Sequence, residues 1–253
     1  LRATAAMTEF RAAAQVHMVE MSPVLQALQE EKLAGAATWH LSIDSLPEQP
    51  MIFVANEFFD ALPVRQLVRR AGAWTERHVV LEHSELAFAE IPTPGLPAKA
   101  DGIYEVSPIS AAIAQELGVK LQALGGAGLI IDYGHITSAA GDTLQALKAH
   151  KTCGVLEYPG SSDLTAHVDF ESLAQGFKAG GVEVLPPMTQ GKFLKAMGLD
   201  MRVKRLAQKL TGKAAEEFVA GAARLVDDGQ MGQLFKVLSV AQKGHGPLYP
   251  FEV

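Results

Sequence analysis

Cysteine is almost missing from this chain of 253 residues: Cys153 is the only one, which excludes an internal disulfide and fits a reducing compartment better than a secreted one. No activating neighbour is visible around that thiol, so it reads as a small buried residue, not a nucleophile. No apolar run reaches the roughly 18 residues that a membrane-spanning helix needs, and no basic-then-apolar signal segment opens the chain. A soluble protein without integral membrane association is therefore expected. HExxH and paired-cysteine motifs are missing and the histidines are scattered, which leaves no metal site to expect. Blocks of lysine or arginine are missing too, and the net charge is −6, so no nucleic-acid partner is expected. The one locally basic stretch, Lys192 to Lys213, reads as a solvated helical face. Neither a solenoid-type repeat nor a low-complexity segment interrupts the chain.

What is present is a globular composition. Apolar residues make up 48% and charged residues 20% of the chain, enough for a substantial core without disulfide or metal support. A single α/β domain over residues 1–253, with insertions, is the expectation. The first residue is Leu1 and not Met, and Leu1 to Ala14 reads as the back of a helix already under way, so the chain is expected to be a piece of a longer one.

Gln15 to Glu20 reads as a short strand ending in an acid. Ser22 and Pro23 supply an N-cap and an N1 proline for the helix carrying Val24, Leu25, Leu28 and Leu33. A short strand near Ala37 to Leu41 and a buried-type strand Met51 to Ala55 follow, giving parallel βα units. Val64 to Arg70, Ala73 to Leu81 and Glu85 to Ile91 alternate in the manner of a β-meander, taken as an insertion over residues 64–91. Ser107 and Pro108 repeat the capping device for a helix carrying Ile109, Ile113 and Leu117 and ending at Gly118. The strand Gly128 to Ile131 runs into Asp132-Tyr133-Gly134. Asp169 caps a helix that stops at Gly180-Gly181, ahead of the strand Val182 to Leu185. Residues 190–229 read as a helical insertion broken near Gly198 and Gly212, before a last strand Leu234 to Val240.

The candidate chemistry lies at strand carboxyl ends, where open α/β sheets bind ligands. In MIFVANEFFDALP an apolar run stops at Asn56 and Glu57, and Asp60 follows, with Phe58 and Phe59 able to exclude water and strengthen local electrostatics. Helix capping by Asn56 or Asp60 is the plainer alternative. Glu105 and Asp132 end later segments, so three acids are expected to converge. Such a set suits a cation, and a planar guanidinium with five donors matches carboxylates bidentately. Glu20 ends a strand before a helix, the place for a ribose-binding acid, although a solvated strand-end glutamate would look the same. Asp163, Thr165, His167 and Asp169 alternate along DLTAHVD and read as a polar, substrate-facing loop rather than a metal site.

Seven segments in this order resemble the MidA-like family of S-adenosylmethionine-dependent methyltransferases: VEMSP (Val19–Pro23), ANEFFDALPV (Ala55–Val64), YEVSP (Tyr104–Pro108), DYGH (Asp132–His135), DLTAHVDF (Asp163–Phe170), TQGKFL (Thr189–Leu194) and MGQLFKVL (Met231–Leu238). That family includes a mitochondrial arginine methyltransferase that assists respiratory complex I assembly. The resemblance implies an α/β, Rossmann-like class I fold with a seven-stranded sheet ending in the last two strands named above. Its first strand and glycine-rich cofactor loop would precede Leu1, so this chain alone is expected to bind cofactor poorly and to be inactive. It implies S-adenosyl-L-methionine as cofactor, with Glu20 on the ribose and Trp39 and Asp44 near the adenine. Asn56 and Glu57 would line the transfer site, and Glu57, Asp60 and Glu105 would orient the guanidinium. Asp132, Tyr133 and His167 would stand at the rim. The implied product is symmetric dimethylarginine on a complex I subunit, in the cytoplasm for a bacterial member or in the mitochondrial matrix for a eukaryotic one, with a homodimer left open. Methyl transfer to another nucleophile, or a non-catalytic assembly chaperone, are the alternatives.

Overall fold

Side-chain caps start four helices and tight turns join the strands of one sheet in the computed structural model, which describes Thr4 and residues 6–97, 100–246 and 248–251 in two units, Leu1–Gln49 and Pro50–Val253. In the first unit, α1 covers Thr8–Ala13; of the helix expected over Leu1 to Ala14, Leu1–Ala3 and Ala5 lie outside the described residues. Strand β1 (His17–Val19) leads into α2 (Pro23–Leu33), where the Ser22 hydroxyl accepts the Leu25 N–H at 3.3 Å and Pro23 needs no donor partner. Ala34 ends the helix in the left-handed region at φ 47°. Strand β2 (Thr38–His40) returns parallel to β1, as a helical crossover requires.

The second unit opens with β3 (Met51–Asn56), followed by β4 (Arg65–Arg70), β5 (Ala73–Glu82) and β6 (Glu85–Pro92). Two-residue turns with both φ positive join the last three: Ala71 (48°) with Gly72 (83°), and His83 (50°) with Ser84 (71°). Turns of that hand match the twist of paired strands. A strand that sequence reading passed over, β7 (Gly102–Val106), pairs antiparallel with β4 and completes a sheet ordered β6-β5-β4-β7.

Helix α3 spans Pro108–Leu124, with Ser107 accepting the Ser110 N–H, and does not stop at Gly118 as expected. Strand β8 (Gly126–His135) follows, then β9 (Gln145–Lys148), β10 (Lys151–Cys153) and β11 (Asp163–Thr165), a small sheet ordered β10-β9-β11 that was not anticipated. After β12 (Val168–Asp169), α4 (Phe170–Ala179) is capped by Asp169 Oδ1, which accepts the N–H groups of Glu171 and Ser172 at 3.1 Å. Gly118 is a packing glycine: a Cβ there would lie 2.9 Å from Phe177 O of α4, and one on Gly180 would lie 2.4 Å from Gln115 O of α3. The helix continues through Gly118 because the close crossing, not a terminus, needs the glycine.

The chain ends with β13 (Glu183–Val184), β14 (Met188–Thr189), α5 (Gln190–Ala196), α6 (Leu199–Ala207), α7 (Lys213–Val226), α8 (Met231–Leu234) and β15 (Phe235–Ala241). Strand β8 is the spine. It pairs parallel with β3 from Gly126 to Ile131, antiparallel with β15 from Ala127 to Tyr133, and parallel with β12 at Gly134 and His135. With β13 and β14 on β15, this sheet joins six strands among the described residues; β1 and β2 belong to the other unit. Ile130, Val237, Leu238 and Val240 are fully buried with Phe170, Phe177 and Leu121. The run Met51 to Ala55 is buried on one side only, since Ile52 and Val54 are 74% and 65% exposed on an edge strand.

Adding one methyl group at the α3–α4 crossing tests this packing. Gly180→Ala, whose backbone is helical at φ −72° and so unstrained by a side chain, is expected to lose about 1–3 kcal/mol of stability in urea unfolding because the helices must part.

Candidate functional site

Three consecutive backbone N–H groups converge on one oxygen at the carboxyl end of β8. Asp132 Oδ2 accepts from Phe58 (3.2 Å), Phe59 (3.0 Å) and Asp60 (3.2 Å), while Oδ1 accepts from the N–H of Tyr133 at 3.0 Å. This carboxylate ties the loop after β3 to its neighbouring strand. Asp132 has no exposed surface, so it is not the rim residue expected from sequence: it is an internal anchor, spent on backbone donors. Burial, and after it the negative charge of Asp60, raise its pKa from 3.8 to about 7 against the opposing effect of the N–H donors.

The anchored loop presents two kinds of carboxylate. Asn56 and Glu57 lie exposed at the end of β3; the Glu57 N–H donates to Ile131 O at 2.9 Å, and Asn56 Nδ2 approaches Glu57 Oε1 at 3.4 Å. Glu57 sits in the left-handed region at φ 48°, a conformation costing about 1–3 kcal/mol for a residue with a side chain and typical of sites where geometry is imposed. Asp60, by contrast, is 5% exposed, and its Oδ1 has no hydrogen-bond partner among the described residues. The Tyr133 hydroxyl interacts with the Asp60 carboxylate and with the hydroxyl of Thr165, whose Oγ1 is also buried.

Tyr133 stands beside them. Its hydroxyl pKa is driven above the ordinary range by burial and then by the Asp60 carboxylate, and its ring meets His167 edge-on at 5.6 Å and Phe235 at 5.4 Å. His167 is half-buried, which lowers its pKa, with His135 adding to the effect. Its backbone N–H donates to Thr143 Oγ1 at 2.8 Å.

No cation answers these acids within the protein: among the described residues neither Asp60 nor Asp132 forms an ion pair. Lys236 is opposite Asp132 in register, yet its Nζ donates to the carbonyls of Gln233 (2.5 Å) and Leu234 (3.0 Å), and burial lowers its pKa.

Glu105 departs from expectation. On β7 it accepts from Gln66 Nε2 (2.8 Å), the N–H groups of Thr143 (3.1 Å) and Leu144 (3.0 Å), and the Thr143 hydroxyl. With four donors from its own chain it anchors the segment before β9 and has little capacity left for a substrate. Against Phe59, Glu105, Ser110 and His167 lies a cavity of about 30 Å³, room for a single water. Of the residues that sequence reading grouped, Asp60, Asp132, Tyr133 and His167 lie together, and Asn56 and Glu57 stand at the end of the neighbouring strand β3, but Asp132 and Glu105 are not free acids. Sequence reading named Thr165 only as part of an alternating series; Thr143 and Gln66 carried no signal, being common polar residues whose role depends on distant partners.

In the first unit Glu20 follows β1 directly, half-buried, with Oε1 accepting the Ser22 N–H (2.8 Å) and Oε2 accepting from Gln29 Nε2 (3.1 Å). Gln29 in turn accepts from Trp39 Nε1 at 2.8 Å, so the tryptophan and the carboxylate are held by one amide that sequence reading missed. Asp44 lies exposed in a short 3-10 turn, Ile43–Ser45. Each Glu20 oxygen retains a lone pair, as an acceptor for two hydroxyls must. Among the described residues no cluster of three His, Cys, Asp or Glu side chains could hold a metal, and no helix is long and apolar enough to cross a membrane.

Residues 1–188 match a family model for S-adenosyl-L-methionine-dependent methyltransferases. The chain is 34% identical over 260 residues to the mitochondrial protein arginine methyltransferase NDUFAF7 of Xenopus tropicalis, covering 89% of this chain and 60% of that protein. It is 31% identical to the human protein of the same name, covering 89% and 58%. The chain thus spans about 60% of the length of the curated relatives it matches. A crystal structure from Burkholderia thailandensis with S-adenosyl-homocysteine bound superposes with a TM-score of 0.76 at 26% identity, covering 92% of this chain and 65% of that one. A second structure from the same organism gives 0.77 at 28%, covering 92% and 68%.

The Asp132 anchor makes stability depend on pH in a definite direction. Its native pKa lies above the unfolded value of 3.8, so the native state keeps a proton that the unfolded state releases. The contribution is complete below pH 3.8 and is lost as pH rises through about 7, up to about 4 kcal/mol in all. In urea unfolding between those limits, Asp132→Asn is expected to lack this decline; an unchanged pH profile would place the titration elsewhere.

Proposed function

The chain belongs to the family of S-adenosyl-L-methionine-dependent methyltransferases and has their class I fold, and from that premise we propose that the protein is a protein arginine N-methyltransferase. One observation supports arginine as the acceptor: neither the buried carboxylate of Asp60, whose Oδ1 lacks a well-aligned donor, nor the open carboxylate of Glu57 forms an ion pair among the described residues. A buried acceptor left unpaired costs about 1–3 kcal/mol. A guanidinium has donors only and a positive charge, so it supplies such a carboxylate with both a donor and a counter-charge.

Bound S-adenosyl-L-methionine supplies an electrophilic methyl group on a sulfonium. Glu20 fits the part of ribose acceptor, since its carboxylate is held in place by Ser22 and Gln29 and still has a lone pair on each oxygen. Trp39 and Asp44 are assigned to the adenine side on the family resemblance, and Asn56 to the wall of the transfer site.

The remaining chemistry is positioning and proton removal. A guanidinium, with a pKa above about 12, is a poor nucleophile while its charge is spread over three nitrogens. Asp60, with Thr165 and Tyr133 beside it, holds one side of the guanidinium and draws the charge away from the reacting nitrogen. Glu57 then takes the departing proton on its carboxylate as the new N–C bond forms. The strained backbone at Glu57, pinned by Ile131 O, directs that carboxylate.

The substrate we propose is a subunit of respiratory complex I and the product symmetric dimethylarginine, in the mitochondrial matrix for a eukaryotic protein and the cytoplasm for a bacterial one. A homodimer is compatible with this reading. These specifics rest on the resemblance to the relatives' family.

The test is transfer of labelled methyl from S-adenosyl-L-methionine by the full-length protein to complex I subunits from cells lacking it, followed by amino-acid analysis. Label is expected in dimethylarginine. Glu57→Gln is expected to abolish transfer while changing cofactor affinity by less than about threefold, or about 0.7 kcal/mol. A variant keeping half the parental rate would remove Glu57 from the mechanism, and label on another residue type would replace arginine as acceptor.

A further inference from the structure

Helices α6 and α7 bury none of their residues, unlike α3, α4, α5 and α8 of the same unit. Each nevertheless carries an apolar seam at helical spacing, Leu199, Val203 and Leu206 on one and Phe218, Ala222 and Leu225 on the other, and the seams line a common groove of about 490 Å³. Gly221 opens the α7 side of it: a Cβ there would meet nothing within 4 Å. An apolar concavity between two amphipathic helices, with no side chain of its own to close it, is a surface for a partner.

The charge around it specifies which partner. Lys192 to Lys213 contains seven lysines and arginines against one acid, Asp200, in a chain whose net charge is −6. Arg202 lines the groove, and Arg205 follows it three residues later on the same side of α6; among the described residues neither forms an ion pair. The acid on the groove, Glu217, is already paired with Lys213 at 3.4 Å. The free charge of the groove is therefore positive, opposite in sign to the bulk of the molecule.

We propose that the α6–α7 groove docks an acidic amphipathic helix of a partner protein, its apolar face against the two seams and its carboxylates toward Arg202 and Arg205. Concave shape favours a helix over a lipid surface, because a helix can lay its apolar ridge into the groove whereas a flat bilayer leaves the floor beside Gly221 unfilled. The proposal stands on this surface alone and is independent of the methyl-transfer chemistry.

Fluorescence anisotropy with the full-length protein tests it. The probe is a labelled peptide of about 18 residues, long enough to hold a helix, with leucines at i, i+3, i+4 and i+7 spacing and glutamates elsewhere. Its control has lysines for the glutamates, and vesicles of phosphatidylglycerol and phosphatidylcholine form a third arm. The acidic peptide is expected to bind at least about tenfold tighter than the basic one and to weaken as salt rises. Gly221→Leu, which fills the groove with a stronger helix former, and Arg202→Glu are each expected to weaken binding about tenfold or more. Equal binding of the two peptides, insensitivity to both substitutions, no binding of the acidic peptide, or vesicle binding in its place would each overturn the proposal.

Discussion

The carboxylate of Asp132 holds the candidate site together. One oxygen gathers the N–H groups of Phe58, Phe59 and Asp60, which a loop leaving a strand would otherwise expose or leave unpaired. That single contact fixes the path of the chain after β3, and with it the direction of the Glu57 and Asp60 side chains. Because the oxygen belongs to β8, the central strand of the sheet, the loop inherits the rigidity of the core and not the mobility of a surface turn.

The same anchor has an electrostatic consequence. A buried carboxylate is tolerable when donors surround it, and Asp132 has them, but Asp60 beside it adds a second negative charge in a poorly solvated place. Lys236, which sequence register brings opposite Asp132, is drawn instead to the carbonyls at the end of α8. The site is thus deficient in positive charge by construction. Around α6 and α7 the reverse holds, with cations in excess and apolar seams only half covered, so the two surfaces are suited to chemically opposite partners.

Much of the fold was legible because its signals are local. Ser22-Pro23, Ser107-Pro108 and Asp169 mark helix starts whose hydrogen bonds lie within a few residues, and tight turns set off β4, β5 and β6, although Gln66, Leu67 and Val68 of β4 are all buried and do not alternate. Strands β9 and β10 escaped because their turn, Ala149-His150 with φ of 50° and 62°, uses neither glycine nor asparagine to announce itself. Gly118 misled for a related reason: a glycine demanded by a helix crossing and one demanded by a helix terminus are the same letter.

Sequence by itself determined the class of the fold, the strand ends that carry the candidate residues, and the motifs that carry the family resemblance, since strand periodicity, caps and short motifs are written in neighbouring residues. Tertiary structure alone decided which acids remain free. Glu105, Asp132, Asp60 and Glu57 are alike as strand-end or loop carboxylates, yet Glu105 is consumed by Thr143, Leu144 and Gln66, and Asp132 by the loop it anchors. Asp60 forms no ion pair among the described residues, and Glu57 lies open to solvent. A carboxylate's availability depends on how many donors reach it, and those donors come from segments up to 74 residues away along the chain.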